Sequence, residues 1–316
     1  MKDSSCRLRC VTALLCLGLT AVAASEDAAP RPIPVPIPRG SAAPAATSDA
    51  AAYVARIAHA HADDEPVAAM AKAEAAMKRP IDAVGAHWVT IGQVDEQPVR
   101  GYLAMARHRP EVLPAVLVFH EWWGLNSNIQ AMTLQLAAHG YAALAVDLYS
   151  GAVAKDPQRA RALATAALGD PARLAQVFTA ANQYLQRGLG ASRIATLGWC
   201  LGGTMSLEAA AQAGPQIDAA VIYYGQVTGD RQKLAGLTAP VLAIFGGADD
   251  SIPERNIEAF GTTLASLGRK AEIHIYEGAP HAFANPSGKS FQPAAAADAW
   301  LRTLAFLDQH LKTVTP

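Results

Sequence analysis

Short apolar stretches alternate with helical patterns from residue 82 onward, and this alternation constrains the fold more than any other feature of the chain. Two of the stretches, residues 114–119 (PAVLVF) and 240–245 (PVLAIF), are continuously apolar, as strands buried on both faces of a sheet are. The pattern predicts an α/β domain over residues 82–316, with a mostly parallel sheet covered by helices on both faces. The eight predicted strands are residues 86–91, 99–106, 114–119, 142–147, 193–198, 218–223, 240–245 and 271–276.

Helical patterns separate the later strands, and a short turn joins the first two. The turn around Val94 to Pro98 predicts an antiparallel hairpin at one edge of the sheet. The predicted helices lie near residues 127–139, 157–187, 201–213, 254–268 and 294–311.

The first 23 residues have the pattern of a secretory signal peptide. Three basic residues precede an apolar core at residues 10–22, and the sequence AVA at residues 21–23 supplies a small-x-small cleavage site. The apolar core is too short for a membrane span, which needs roughly 20 residues. We therefore expect export, most simply to a bacterial periplasm, with cleavage after Ala23 or, as a second choice, at Ser25.

Two segments of simple composition follow the signal. Residues 24–48 are rich in proline and alanine, which predicts an extended linker because repeated prolines remove backbone donors. Residues 49–81 are alanine-rich with scattered charges and predict a helical lead-in. Residues two apart, such as His59 and His61, do not share a helix face, so we interpret the ionisable cluster in this segment as solvated surface rather than metal ligands: His59, His61, Asp63, Asp64 and Glu65.

Cysteine usage argues against a disulfide-stapled protein, and the charge argues against a nucleic-acid-binding protein. Cys6, Cys10 and Cys16 lie in the predicted signal peptide, so Cys200 is the single cysteine of the mature chain and cannot form an internal disulfide. Removal of the signal changes the formal net charge from −1 to about −3. A weakly acidic balance without a basic stripe argues against a nucleic-acid partner.

Cys200 lies where a strand is predicted to turn into a helix. The spacing of Gly198, Cys200 and Gly202 is that of a nucleophile elbow, with cysteine in place of serine. Glycines are needed there because larger residues would collide with the adjacent strand and helix. The following helix would begin at Leu201, and its N–H groups favour negative charge on a thiolate or an oxyanion. We therefore predict a nucleophile rather than a buried structural cysteine.

A base and an orienting acid are expected after the elbow, in the order nucleophile, acid, histidine. Asp249 follows the seventh predicted strand, with Asp250 as the neighbouring alternative. His281 follows the eighth strand, whereas His274 lies inside that strand and His310 in the last helix. We therefore predict Asp249 and His281 as the acid and the base.

The sequence FHEWWGLN, residues 119–126, ends the third predicted strand, where a loop is expected to donate a second oxyanion N–H. A carboxylate at Glu121 is unusual in this apolar loop. Two readings remain open: Glu121 governs the protonation of Cys200, or it pairs with an arginine at the mouth of the site. For His120 we favour a supporting hydrogen bond over a role as a second base.

Six stretches in this order resemble the dienelactone hydrolase family of α/β-hydrolases, over roughly residues 82–312. They are HEWWGLN (120–126), GYAALAVDLY (140–149), GWCLGG (198–203), YYG (223–225), GGAD (246–249) and HAF (281–283). The resemblance implies an α/β-hydrolase fold and a Cys-His-Asp triad formed by the three residues predicted above. It also implies that Glu121 holds the resting thiol, and that the backbone N–H groups of Leu201 and Trp122 bind the oxyanion.

The chain departs from the family in the expected substrate contacts. Dienelactone hydrolase proper holds the substrate carboxylate with two arginines; one matches Arg161, with Arg159 as the second choice, and the other position holds Asn285. The missing arginine removes a contact of about 1.5–3 kcal/mol, which argues against a dicarboxylate-like lactone. Trp122 and Trp123 predict an apolar or aromatic wall for the substrate instead.

These features predict an exported hydrolase that cleaves a small carboxylic ester or lactone through an acyl-thioester, without a metal or an organic cofactor and without membrane association after signal cleavage. Two other classes remain open. One is a binding protein that keeps the hydrolase fold without activity. The other is a thiol redox protein, which normally needs a second thiol that the mature chain lacks.

Overall fold

The computed structural model describes residues 31–32, 83–107 and 114–312. The predicted signal peptide (1–23), most of the predicted linker (24–48) and the predicted helical lead-in (49–81) lie outside the described residues. The same holds for Cys6, Cys10, Cys16 and the ionisable cluster at residues 59–65.

A nine-stranded sheet forms the centre of the described domain. Its strands are β1 (Arg31–Pro32), β2 (Val84–Val94), β3 (Gln97–Ala106), β4 (Ala115–Phe119), β5 (Ala142–Val146), β6 (Ile194–Trp199), β7 (Ala219–Tyr223), β8 (Val241–Gly246) and β9 (Ala271–Tyr276).

The strands lie in the order β1-β9-β8-β7-β6-β4-β5-β3-β2. The pairs from β5 through β4, β6, β7 and β8 to β9 are all parallel. At one edge β2 and β3 form an antiparallel hairpin, and at the other β1 pairs antiparallel with β9. The predicted mostly parallel, eight-stranded sheet is confirmed, and β1 adds two residues of the predicted linker as a ninth strand.

The helices of the described residues are α1 (Ser127–Ala138), α2 (Pro157–Leu168), α3 (Pro171–Gln183), α4 (Leu201–Ala213), α5 (Arg231–Leu234), α6 (Glu254–Ser266) and α7 (Pro293–Leu307). Single turns of π-helix, Tyr184–Gly188 and Asp308–Lys312, extend α3 and α7.

The helical pattern predicted near residues 157–187 is present but divided, because α2 ends at Leu168 and α3 begins at Pro171. Asp170 accepts a hydrogen bond from the Arg173 N–H at 3.0 Å and caps the second helix. Pro171 has no N–H to continue a helix but fits the first position of a new one. The short helix α5 was not predicted.

The central strands are buried, which explains why their sequences are continuously apolar. Every residue of β4, β5, β6, β7 and β8 is buried. Since successive side chains of a strand point to opposite faces, complete burial means that both faces of the sheet are covered. Helix α4 packs against β4, β6 and β7, so the element that follows Cys200 rests on the middle of the sheet.

The carboxyl ends of parallel strands meet at one edge of a sheet, where α/β proteins form their sites. Four loops at this edge carry residues predicted for the site: Glu121 after β4, Cys200 after β6, Asp249 after β8 and His281 after β9. Across the three described stretches of chain, no helix has both the length and the apolar character that crossing a bilayer requires.

Candidate active site

Cys200 occupies a strained turn between β6 and α4, with φ 57° and ψ −121°. A Cβ on Gly198 would lie 2.0 Å from the Gly202 carbonyl oxygen, and a Cβ on Gly202 would lie 2.1 Å from the Phe119 carbonyl oxygen. Neither position tolerates a side chain, because each contact is with backbone. The Cys200 N–H donates to the Tyr223 carbonyl at 3.0 Å, which ties the turn to β7. The predicted elbow geometry is present, and it stores strain at the thiol.

The Cys200 thiol is fully buried among groups that pull its pKa in opposite directions. Burial is the largest effect and raises the pKa, and the nearby Glu121 carboxylate raises it further. The backbone N–H groups of Leu201 and Trp122 both hydrogen-bond to the sulfur and lower it, but the net effect leaves the pKa well above that of an ordinary thiol. The two amides predicted as oxyanion donors therefore converge on the sulfur.

Asp249 and His281 form a buried pair. His281 Nδ1 lies 2.6 Å from Asp249 Oδ2, and both side chains are shielded from solvent. Burial alone would raise the pKa of Asp249, but the charge and hydrogen bond of His281 together with hydrogen bonds from Ser251 lower it. The carboxylate accepts the Nδ1 proton, so the tautomer that results has a lone pair at Nε2. Asp250 is exposed, and the contact with His281 is made by Asp249.

Ser251 joins Asp249 to His281, and no feature of the sequence predicted it. Its hydroxyl donates to Asp249 Oδ1 at 2.5 Å, and its backbone N–H donates to the same oxygen at 2.9 Å. The hydroxyl oxygen also lies 3.0 Å from His281 Nδ1. Ser251 is itself buried, so these contacts are made in a low-dielectric environment where they are strong. It holds the pair in one arrangement.

Substitution of Ser251 by alanine is expected to lower kcat for ester hydrolysis by about tenfold, because one buried hydrogen bond to the acid–base pair is lost. KM should stay unchanged, since Ser251 contacts the pair rather than the substrate. Steady-state kinetics with Ser251→Thr, which restores a hydroxyl, and Ser266→Ala on α6 as the matched control would check this. A lower unfolding temperature with unchanged kcat would instead make Ser251 purely structural.

Glu121 is a buried carboxylate held by an amide rather than by an arginine. Asn285 Nδ2 donates to Glu121 Oε2 at 2.7 Å. Asn285 Oδ1 in turn accepts from the Ser287 N–H at 2.9 Å and the Ser287 hydroxyl at 2.6 Å, which fixes the orientation of the amide. The position where the family resemblance places a substrate-binding arginine therefore holds a neutral side chain that contacts Glu121.

His120 is engaged at both ring nitrogens by the backbone. Nδ1 lies 2.6 Å from the Glu121 carbonyl oxygen, and Nε2 accepts from the Leu148 N–H at 3.2 Å. Burial lowers the pKa of His120, which favours the neutral ring that this pattern requires. Its contacts join the ends of β4 and β5 and match the supporting role favoured from the sequence.

Of the residues predicted to contact the substrate, the two tryptophans are buried and the two arginines are exposed. Trp122 and Trp123 are buried next to each other, with ring centroids 5.0 Å apart. Arg161 and Arg159 are both exposed residues of α2, and their contact with a substrate stays a prediction. In the described part of the chain, no group of three or more His, Cys, Asp or Glu side chains is arranged to hold a metal ion.

Comparisons with known proteins agree on one family. The model of the dienelactone hydrolase family matches residues 99–311. A protein of Escherichia coli K12 named "Putative carboxymethylenebutenolidase" is 32% identical over 269 residues, which cover 77% of this chain and 94% of that protein. A protein of a Bradyrhizobium species named "Probable 2-oxo-3-(5-oxofuran-2-ylidene)propanoate lactonase" is 33% identical over 246 residues, 73% of this chain and 96% of that one.

A solved structure supports the same assignment. The crystal structure of a "Putative Dienelactone Hydrolase" from Klebsiella pneumoniae superposes with a TM-score of 0.63 at 29% identity, and covers 72% of this chain and 99% of that one. The family match spans most of the hairpin strand β3, the whole parallel sheet and the four loops that carry Glu121, Cys200, Asp249 and His281. The chain therefore belongs to the dienelactone hydrolase family and is a hydrolase with the α/β-hydrolase fold.

Proposed function

We propose that this protein hydrolyses a carboxylic ester or lactone through an acyl-thioester on Cys200, with His281 as base and Asp249 as its orienting acid. The observation that carries the proposal is the convergence of three groups on one edge of the sheet. A buried thiol sits in a strained elbow, two backbone N–H groups point at its sulfur, and a histidine lies 2.6 Å from a buried carboxylate. This set matches the requirements of nucleophilic acyl transfer.

Acylation begins with a protonated thiol, because burial and Glu121 raise the pKa of Cys200. As Sγ attacks the carbonyl carbon, the thiol proton passes to His281 Nε2, and Asp249 stabilises the imidazolium that forms. The backbone N–H groups of Leu201 and Trp122 donate to the developing oxyanion. Collapse of the tetrahedral intermediate breaks the bond to the leaving oxygen, which takes the proton from His281.

Deacylation reverses these roles. Neutral His281 removes a proton from water, and the resulting hydroxide attacks the thioester carbon. The same two N–H groups bind the second oxyanion. Sγ then leaves, takes the proton back from His281, and the free carboxylic acid departs.

Glu121 disfavours the thiolate while the site is empty, since a second negative charge beside it is costly in a buried site. Arrival of the substrate displaces the carboxylate from the thiol and lowers this electrostatic cost. Asn285 offers one neutral hydrogen bond, which restrains Glu121 less than a charged arginine would.

The substrate proposed is an ester or lactone with an apolar or aromatic portion. The relatives' printed names include a lactonase and carboxymethylenebutenolidases, which supports the reaction class. Neutral Asn285 stands where a dicarboxylate substrate would need a cation. Trp122 and Trp123 supply apolar surface. Export to the periplasm remains part of the proposal and rests on residues 1–23 alone.

The decisive experiment is capture of the acyl-enzyme. The chain lacking residues 1–23 is mixed with p-nitrophenyl acetate, quenched in acid within milliseconds and mapped by mass spectrometry. We expect a burst of nitrophenol equal to the enzyme concentration and an acetyl group on Cys200. Enzyme alkylated beforehand with iodoacetamide serves as the control. Undiminished turnover by fully alkylated enzyme would overturn the proposal.

The redox alternative has less physical support. Cys200 is the sole cysteine after residue 23, and its thiol is fully buried with a raised pKa, the opposite of an exposed thiolate that peroxide oxidises. A binding protein has no need for a strained thiol aligned with two amides. Both alternatives predict no burst in the experiment above.

A further inference from the structure

Two tyrosine hydroxyls at the edge of the sheet are buried and have no hydrogen-bond partner among the described residues: those of Tyr149 and Tyr224. A hydroxyl removed from water without a partner destabilises a fold, so such groups in a site indicate a ligand that supplies the partner. The adjacent Tyr223 shows the ordinary case, because its buried hydroxyl lies 2.6 Å from the Thr303 hydroxyl.

The sheet order places the two tyrosines on opposite sides of the thiol. Tyr149 follows β5, Cys200 follows β6 and Tyr224 follows β7, and β6 lies between β7 and the β4–β5 pair. Both hydroxyls are close enough to Cys200 for a charge on the sulfur to raise the pKa of each tyrosine, after the larger effect of burial. They therefore flank the reacting sulfur.

Each ring is held rigidly against a histidine of the site. The Tyr149 ring packs edge-to-face on His120 with centroids 4.6 Å apart, and its turn is fixed by the Asp147 carboxylate, which accepts the Tyr149 N–H at 2.9 Å. The Tyr224 ring packs on His281 at 5.1 Å. Tyr224 also has a φ of 36°, and its N–H donates to the Ile244 carbonyl at 2.7 Å. A bulky residue held at positive φ is typical of functional sites.

We propose that Tyr149 and Tyr224 bind the substrate, donating hydrogen bonds to uncharged oxygen atoms on either side of the scissile carbonyl. The proposal rests on the function proposed above and specifies its substrate class. Both phenols are neutral donors, and the carboxylates of Glu121 and Asp249 are close enough to raise the pKa of Tyr224, so they also disfavour an anion there. The pair therefore favours an ester or lactone with additional ether, carbonyl or hydroxyl oxygens over one with a free carboxylate.

The test compares two isosteric esters, p-nitrophenyl butyrate and p-nitrophenyl methoxyacetate, in which an ether oxygen replaces one methylene. The wild-type ratio of kcat/KM values, methoxyacetate over butyrate, is the reference for Tyr149→Phe, Tyr224→Phe and the double variant. We expect at least one single variant to lower this ratio about tenfold, since one hydrogen bond to the ether oxygen is lost. Unfolding temperatures should stay equal or rise, because an unsatisfied buried hydroxyl is removed.

Tyr223→Phe is the matched control. It should lower the unfolding temperature, because the bond to Thr303 is lost, and leave the substrate ratio unchanged. If both flanking variants keep the wild-type ratio, the inference is overturned; a fall in their unfolding temperatures would then show that the hydroxyls have a structural partner. Failure of the proposed function looks different: neither ester then acylates Cys200 in the wild-type enzyme.

Discussion

Cys200→Ala is expected to lower kcat for p-nitrophenyl ester hydrolysis by about 10⁵–10⁶-fold, the loss typical of removing a nucleophile that acts as one unit with its base. The variant keeps the backbone that holds the site, including the Leu201 and Trp122 amides that point at the sulfur. Substrate should therefore still bind, and kcat rather than KM should report the change. Initial rates over a wide range of enzyme concentration would measure it.

Cys200→Ser is the control for the elbow itself. Serine fits the same turn and keeps a hydroxyl within reach of the base. At this position, beside the Glu121 carboxylate, an alcohol is far harder to deprotonate than a thiol. Both variants should unfold near the wild-type temperature, since Gly198 and Gly202 maintain the close backbone contacts. If Cys200→Ala retained more than a hundredth of wild-type activity, with a correct mass and no wild-type contamination, another group would be the nucleophile.

Features that depend on local geometry could be predicted from the sequence. The elbow around Cys200 needs glycines two residues before and after the thiol, and this requirement is visible in any strand-to-helix turn of that spacing. The meeting of Asp249 and His281 could be predicted because each directly follows a strand, and parallel strands bring their carboxyl ends together. The prediction of the sheet rested on continuous apolar runs that alternate with helical patterns, and the complete burial of β4 to β8 explains those runs.

Features that depend on contacts between distant loops could not be predicted. Asn285 and Glu121 are 164 positions apart, and nothing in either segment indicates that an amide takes the place of an arginine and turns toward a carboxylate. Ser251 follows two acids just before a helix, a sequence that equally fits an ordinary turn, and its contact with His281 exists only because β8 and β9 pair. The break between α2 and α3 was not predicted, although Asp170 and Pro171 together are a local signal for a helix start.

Asp249→Asn is expected to lower kcat/KM by about 10³–10⁴-fold, because an amide at this position reverses the hydrogen bond to His281. The wild-type carboxylate accepts the Nδ1 proton at 2.6 Å and so leaves a lone pair at Nε2. An asparagine that donates its N–H to Nδ1 would place the proton on Nε2 instead, and the ring could no longer take a proton from the thiol. The Ser251 bonds to Asp249 Oδ1 would hold the asparagine oxygen in place and favour this orientation.

Asp250→Asn is the matched control, since it makes the same chemical change one residue away on an exposed side chain. Its kcat/KM should stay within about twofold of wild type, as surface substitutions outside special contacts have small effects. The two variants together separate the acid of the proposed triad from its neighbour, which the sequence alone left open. A large loss in Asp250→Asn with little change in Asp249→Asn would reverse the assignment. Similar losses in both would mean that charge near β8, and not the tautomer of His281, controls the reaction.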